Sequence, residues 1–168
     1  MTAISGVLDD LLPILILGVA AIAVVTDLRR RRVYNTLTMP AMAVGLVANT
    51  LWDGPRGLLW AAAGLLLGGA LFFVPVAMGG MGAGDLKLLA ALGAIGGPAF
   101  VFWCAIYTSI VGGFIAVATL VAKRRFTPVV AGMALDLSAH QLPRATSNIR
   151  LPYAVPIALG AVAALVLR

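Results

Sequence analysis

The sequence predicts an all-α integral membrane protein of about six transmembrane helices, with both termini on the non-cytoplasmic side. Three observations lead there. Of 168 residues, 62% are hydrophobic and only 11% charged, against about a quarter charged in an average soluble domain. Long apolar runs alternate with Gly, Pro and Arg breakers. Finally, the basic residues collect on one side of the layout those runs define.

Taken in order, the apolar runs lie near 8–27, 36–52, 57–78, 85–97, 98–122 and 152–167. The first carries Asp9 and Asp10 at its N-terminal flank and no Lys or Arg, the reverse of a secretory signal's basic flank, so it is expected to be a retained helix. The fourth, 85–97, is too short to cross a bilayer core of about 30 Å unaided. Two alternatives follow: a half-submerged helix, or union with the fifth around Gly96, Gly97 and Pro98. Arg29 to Arg32, Lys87, Lys123, Arg124, Arg125, Arg144 and Arg150 fall on one side, and only Arg56 and Arg168 on the other. The positive-inside tendency makes the first side cytoplasmic. The net charge of +6 is therefore read as topology and not as a nucleic-acid-binding surface.

One polytopic domain spans residues 1–168, with a cytoplasmic loop over 123–151. Within it, the stretch from Arg125 to Arg150 includes "VVAGMALDLSAH", a candidate interfacial helix. Cys104 is the sole cysteine and sits in an apolar run, which excludes a disulfide framework and a thiolate metal cluster. His140 has no second ligand nearby in the sequence, and no metal or cofactor is expected. Trp52, Trp60, Trp103, Tyr107 and Tyr153 read as interfacial anchors or packing residues. Met78 and Met81 flank a glycine loop, where core packing and the lining of an apolar groove are both open.

All six acidic residues are Asp, and two of them mark one edge of this layout. Asp27 ends the first helix and Asp85 opens the fourth, so antiparallel helices bring them to similar depth. Alone, each has a bland reading: Asp27 as counter-ion to the arginines, Asp85 as a helix cap. Together with the loop "GGMGAGD", Gly79 to Asp85, they suggest more. Clustered glycines strip side chains from around a carboxylate and let another chain approach, and irregular backbone at membrane depth is tolerated where it lines a wet cavity.

"GMGAGDLKLLAALGAIGG" resembles the Gly-x-Gly-Asp motif of the type IV prepilin peptidases, with Gly82, Ala83, Gly84, Asp85, Leu86 and Lys87 filling the family's Gly-x-Gly-Asp-x-Lys in order. "TDLRRRRVYNTLTMP" is similar to the family's second element, an Asp, then basic residues and Ile-Pro-Asn; Asp27 and Asn35 match, and Tyr34 stands where the proline is expected. "LPYAVPIALGA", Leu151 to Ala161, resembles the final helix of the short members that serve tight-adherence pili. The two Cys-x-x-Cys pairs of longer members are missing, so N-methylation is not expected.

The resemblance implies an aspartic endopeptidase in the bacterial cytoplasmic membrane. It would remove the short basic leader of a membrane-inserted prepilin or pseudopilin at the cytoplasmic face, with the pilus assembly machinery as a further candidate partner. Asp27 and Asp85 would be the catalytic pair, and Gly82, Gly84 and Lys87 part of the active-site loop. Two carboxylates sharing a site hold one proton between them, which supplies a base for water and an acid for the carbonyl oxygen. Helix dipoles favour the anion at Asp85, whereas the arginines after Asp27 favour it there, so the proton's location stays open. Lys87 either steadies the loop or snorkels to the interface. Asn35 either caps the second helix or orders the loop. The alternative function is a small transporter or channel subunit whose acids bind ions or protons, although transport sites usually lie at mid-membrane.

Overall fold

The computed structural model describes residues 2–30, 32–122 and 153–167, and among these it is helical with short links and no strand. Four helices follow in order: α1 (Thr2–Arg30), α2 (Asn35–Ala77), α3 (Ala83–Ala122) and α4 (Ala154–Val166). Leu11–Arg30, Asn35–Ala77 and Ala83–Thr119 are long and apolar enough to cross a membrane, and α4 is a shorter apolar helix. The expected cytoplasmic loop 123–151, with His140 and the candidate interfacial helix, lies outside the described residues.

Neither α2 nor α3 is a straight rod. In α2 the helical path breaks at Asp53 (φ −122°, ψ 19°) and Gly54 (φ 58°, ψ −137°); the positive φ is one that glycine adopts without a Cβ clash. Gly45 before the break packs on the backbone of Ala94 and Ile95, while Gly64 after it packs on Gly93 and Gly97. A straight helix would separate Gly45 from Gly64 by about 28 Å at 1.5 Å per residue, so α2 is a hairpin whose two arms embrace the same part of α3. The second break falls at Gly97 (φ 79°, ψ 177°), directly before Pro98. Val101 folds back against Gly93, so α3 also doubles on itself.

All six apolar runs are thus helical, distributed over four helices, two of them broken. The segment 85–97 is the first arm of α3 and meets the second arm, from Pro98, at the reversal. Its residues Leu88, Leu89, Ala91, Leu92 and Ala94 are completely buried, which makes it the central strut of the molecule. The first helix runs to Arg30 and not to 27, because Leu28 and two arginines favour helix and the cations suit its negative C-terminal end.

Small residues set the spacing around the strut. A Cβ at Gly64 would collide with the Gly93 carbonyl and one at Gly93 with the Gly64 carbonyl, the close backbone approach that small residues allow between apolar helices. On the other side α4 seats Gly160 against Thr108 and the Cys104 carbonyl. Helix α1 leans on α4 and α3 and scarcely touches α2. Leu51, Leu59, Leu66, Phe114 and Val166 face outward and are strongly exposed, as lipid-facing side chains are.

One half-buried amide holds the broken end of the strut. Pro98 has no N–H, so the Ala94 carbonyl loses its helical donor. Asn49 replaces it: its Nδ2 donates to the carbonyls of Ala94 and Ile95, each at 3.2 Å, and to Gly45 O at 2.8 Å. Asn49→Leu should therefore cost about 1–3 kcal/mol by stranding those carbonyls. Thermal unfolding of the purified protein in detergent checks this, with Thr50→Val as the control. The Thr50 hydroxyl bonds only its own helix at Leu46 O, so that change should shift the midpoint far less.

Candidate active site

The reversals at Asp53–Gly54 and at Gly97 lie at one end of the bundle. At the other end four segments converge: the last turn of α1, the start of α2, the glycine loop with the first turn of α3, and the start of α4.

Asp27 lies at the start of the last turn of α1 and is 6% exposed, and Asp85 lies on the first turn of α3 at 9%. A buried carboxylate needs donors, and each has a backbone one. The amide of Ala154, the first helical residue of α4, donates to Asp27 Oδ2 at 3.1 Å, using one of the N–H groups that a helix start leaves without an internal partner. Gly82 N donates to Asp85 Oδ2 at 3.2 Å, and Asp85 N donates to Gly82 O at 3.0 Å. The two bonds close the first turn of α3: Asp85, the third helical residue, accepts from the amide of Gly82 just before the helix, so its carboxylate satisfies a helix-start donor without itself standing at the cap position. The two carboxylates also lie within electrostatic reach of one another. Residues far apart in the chain thus bring two acids to one place.

The loop's glycines act by absence. Gly82 is exposed, and a Cβ there would stand 3.2 Å from Asp85 Oδ2, so a side chain at this position would crowd the carboxylate. At Gly84 a Cβ would stand 2.9 Å from Val33 O and 3.1 Å from Val33 Cβ, so the link between α1 and α2 presses directly on the loop. Lys87 and Asn35 meet: Lys87 Nζ donates to Asn35 Oδ1 at 2.9 Å. The capping role expected for Asn35 does not occur. Tyr34 occupies the cap position in extended conformation with no side-chain cap bond, and the Asn35 oxygen is turned to the lysine. The pair ties the start of α2 to the first turns of α3.

Met81 lines a groove beside the site, whereas Met78 forms the C-terminal cap of α2 and is not part of that lining. Trp52, Trp60 and Trp103 are all near the end of the bundle with the reversals, each 40–49% exposed, and Trp60 packs on the Gly97 break. Tyr107 stacks on Trp103 with centroids 6.0 Å apart. Among the described residues no group of three or more His, Cys, Asp or Glu is gathered to hold a metal ion. Sequence reasoning missed two participants, the Ala154 amide and Tyr153. Tyr153 stands beside that amide, and its phenol is within electrostatic reach of Asp85. The sole sequence signal for them was the "LPYAVP" start of the last helix.

Residues 14–117 match the type IV leader peptidase family. The chain belongs to that family. The matched part runs from α1 through most of α3 and includes both aspartates, the glycine loop, Asn35 and Lys87; α4 lies beyond it. No curated protein and no solved structure matches the chain. Membership makes the chain a membrane protease of the leader-peptidase kind, with prepilin-type precursors as its general substrate class.

The packing of Gly84 on Val33 yields a test. In Gly84→Val the added side chain must displace either the Val33 backbone or Asp85. A displacement near 1 Å costs about 10²-fold in rate, so leader cleavage should fall by about that factor while helicity, followed by far-UV circular dichroism in detergent, stays at the wild-type level.

Proposed function

We propose that the chain is an aspartic endopeptidase that hydrolyses the bond between the leader and the apolar segment of a type IV prepilin-like precursor, using Asp27 and Asp85 and one water. The observation that carries this reading is the convergence of two buried carboxylates from α1 and α3 behind an exposed glycine loop. In this reading one carboxylate is ionised and draws a proton from the water as it attacks the scissile carbonyl. The other is protonated and donates to the carbonyl oxygen. Breakdown of the tetrahedral species then returns a proton to the leaving amine, so that the pair ends the cycle ready for another water.

The backbone donors at Ala154 and Gly82 support this division of labour. Each occupies one carboxylate oxygen, Oδ2 in both residues, and leaves Oδ1 for water and substrate. Lys87, bonded to Asn35, is assigned to holding the α2 start against the loop, so that Asp85 keeps its place. Gly82 and Gly84 are assigned to giving an extended substrate backbone room to reach the acids. By resemblance the substrate has a short basic leader ending in Gly, and a chain flexible at that point could enter such a cleft.

Orientation follows the charges. Among the described residues Arg29, Arg30, Arg32 and Lys87 stand at the end with the acids and Arg56 at the end with the reversals. The positive-inside tendency supports placing the acids at the cytoplasmic face of the bacterial inner membrane. There a precursor inserted in the bilayer can offer its leader junction to water. Helices α1 and α4 and the arms of α2 and α3 would then be the six crossings, with both termini outside.

Asp27→Asn and Asp85→Asn keep size and hydrogen-bonding capacity and remove the carboxyl. Each should lower leader cleavage to about a thousandth of wild type or less, followed with purified enzyme in vesicles and a peptide bearing a basic leader, a Gly and an apolar segment. Wild-type cleavage by either variant would contradict the proposed chemistry. Should both variants fail to bind a proton gradient-dependent solute while cleavage persists, the transporter alternative would gain instead.

A further inference from the structure

A groove of about 230 Å³ opens beside the glycine loop that leads into Asp85, with Gly80 and Met81 of that loop in its lining. One wall is the second arm of α3 from Thr108 to Ala116, and the other includes Phe72 of α2. Thr108 to Ala116 is nine residues of helix, eight steps or about 12 Å at 1.5 Å per residue, enough to face roughly two turns of another helix. Midway along it Gly112 and Gly113 carry no side chain, which lets an apolar helix come close. The end nearest the acids is formed by Met81 of the glycine loop and by Tyr153. Tyr153 packs directly on this arm, since a Cβ at Gly112 would lie 3.7 Å from its Cε1, whereas a Cβ at Gly113 would meet nothing within 4 Å.

Tyr153 therefore has three neighbours of different kinds. Its ring is part of the groove lining, its phenol is within electrostatic reach of Asp85, and the next residue's amide holds Asp27 at 3.1 Å. An anchor residue would need only the ring. A hydroxyl at the junction of an apolar groove and a pair of carboxylates can also donate a hydrogen bond.

We propose that Tyr153 positions the substrate at the aspartates: its ring ends the groove that receives the apolar segment following the scissile bond, and its hydroxyl donates to the substrate main chain beside that bond. This rests on the reading of Asp27 and Asp85 given above. The occupant is the precursor's own apolar helix, because the groove leads to the acid-bearing loop and anything seated in it presents its end to the carboxylates. The hydroxyl bond forms only when the peptide is drawn up to the acids, so it acts on turnover. The ring acts on binding.

The test is steady-state cleavage by the full chain in vesicles, with a synthetic peptide of basic leader, Gly and an apolar segment as the probe. Tyr153→Phe keeps the ring and should lower kcat about tenfold with KM within about twofold of wild type. Tyr153→Leu loses ring and hydroxyl and should add a rise in KM of about tenfold. Gly113→Leu, at a lining position where an added Cβ meets nothing within 4 Å, fills the groove without touching the tyrosine and should raise KM with kcat kept. Thermal midpoints are read for all variants, and a Tyr153→Phe protein with a wild-type midpoint and wild-type kcat and KM overturns the proposal. So does a loss of activity in Tyr153→Phe that merely parallels a lowered midpoint. Asp27→Asn and Asp85→Asn run alongside: if they are inactive while Tyr153→Phe is normal, only the role of Tyr153 fails, and if they cleave normally, the aspartate chemistry itself fails.

Discussion

Two carboxylates, each under 10% exposed, have to be kept near one another at the end of an apolar bundle. They repel, and burial removes the water that would otherwise solvate them. The rest of the fold can be understood as the response to that constraint. Each acid receives a backbone N–H from a helix start, Ala154 for Asp27 and Gly82 for Asp85. Backbone donors are held by whole helices and cannot swing away, which is why the loop and α4 must be fixed against α1 and α3 before the site can exist.

That fixing comes from the far end as much as from the site. The first arm of α3 carries Asp85 at its start and ends at Gly97, where Pro98 interrupts the hydrogen-bond ladder. Asn49 reaches across from α2 to satisfy the orphaned carbonyls, and the mutual Gly64–Gly93 approach clamps the same stretch from the second arm. A short helix with one end tied and its sides fully covered is a rigid post, and Asp85 stands on its top. Helix α4 plays the matching part for Asp27, seated on α3 through Gly160.

Much of this was legible in the sequence. Apolar runs and breakers located every helical segment among the described residues, and the pairing of "GMGAGD" with "TDLRRRR" singled out the two aspartates, since glycine beside a rare carboxylate is costly unless something must approach it. What was less legible depends on contacts between distant segments. Nothing local in "NTLT" says that Asn35 abandons capping for Lys87, because the lysine arrives from α3. The use of Asn49 is likewise long-range, because the carbonyls it satisfies, Ala94 and Ile95, lie beside the Pro98 break of another helix. Tyr153 read as an anchor because its neighbours, Asp85 and the groove, come from elsewhere in the chain. The end of α1 was set one turn short, as the arginines that read as a boundary also stabilise a helix C-terminus.

The account depends most directly on the two acid positions being neighbours in the membrane-embedded protein. With Cys104 replaced by Ala, the double variant Asp27→Cys, Asp85→Cys can be treated in native membranes with a short bifunctional thiol reagent, and the intramolecular cross-link scored by mass spectrometry. Efficient linkage between positions 27 and 85 is the predicted result. Both thiols reacting singly with the reagent, with no linkage formed, would contradict it.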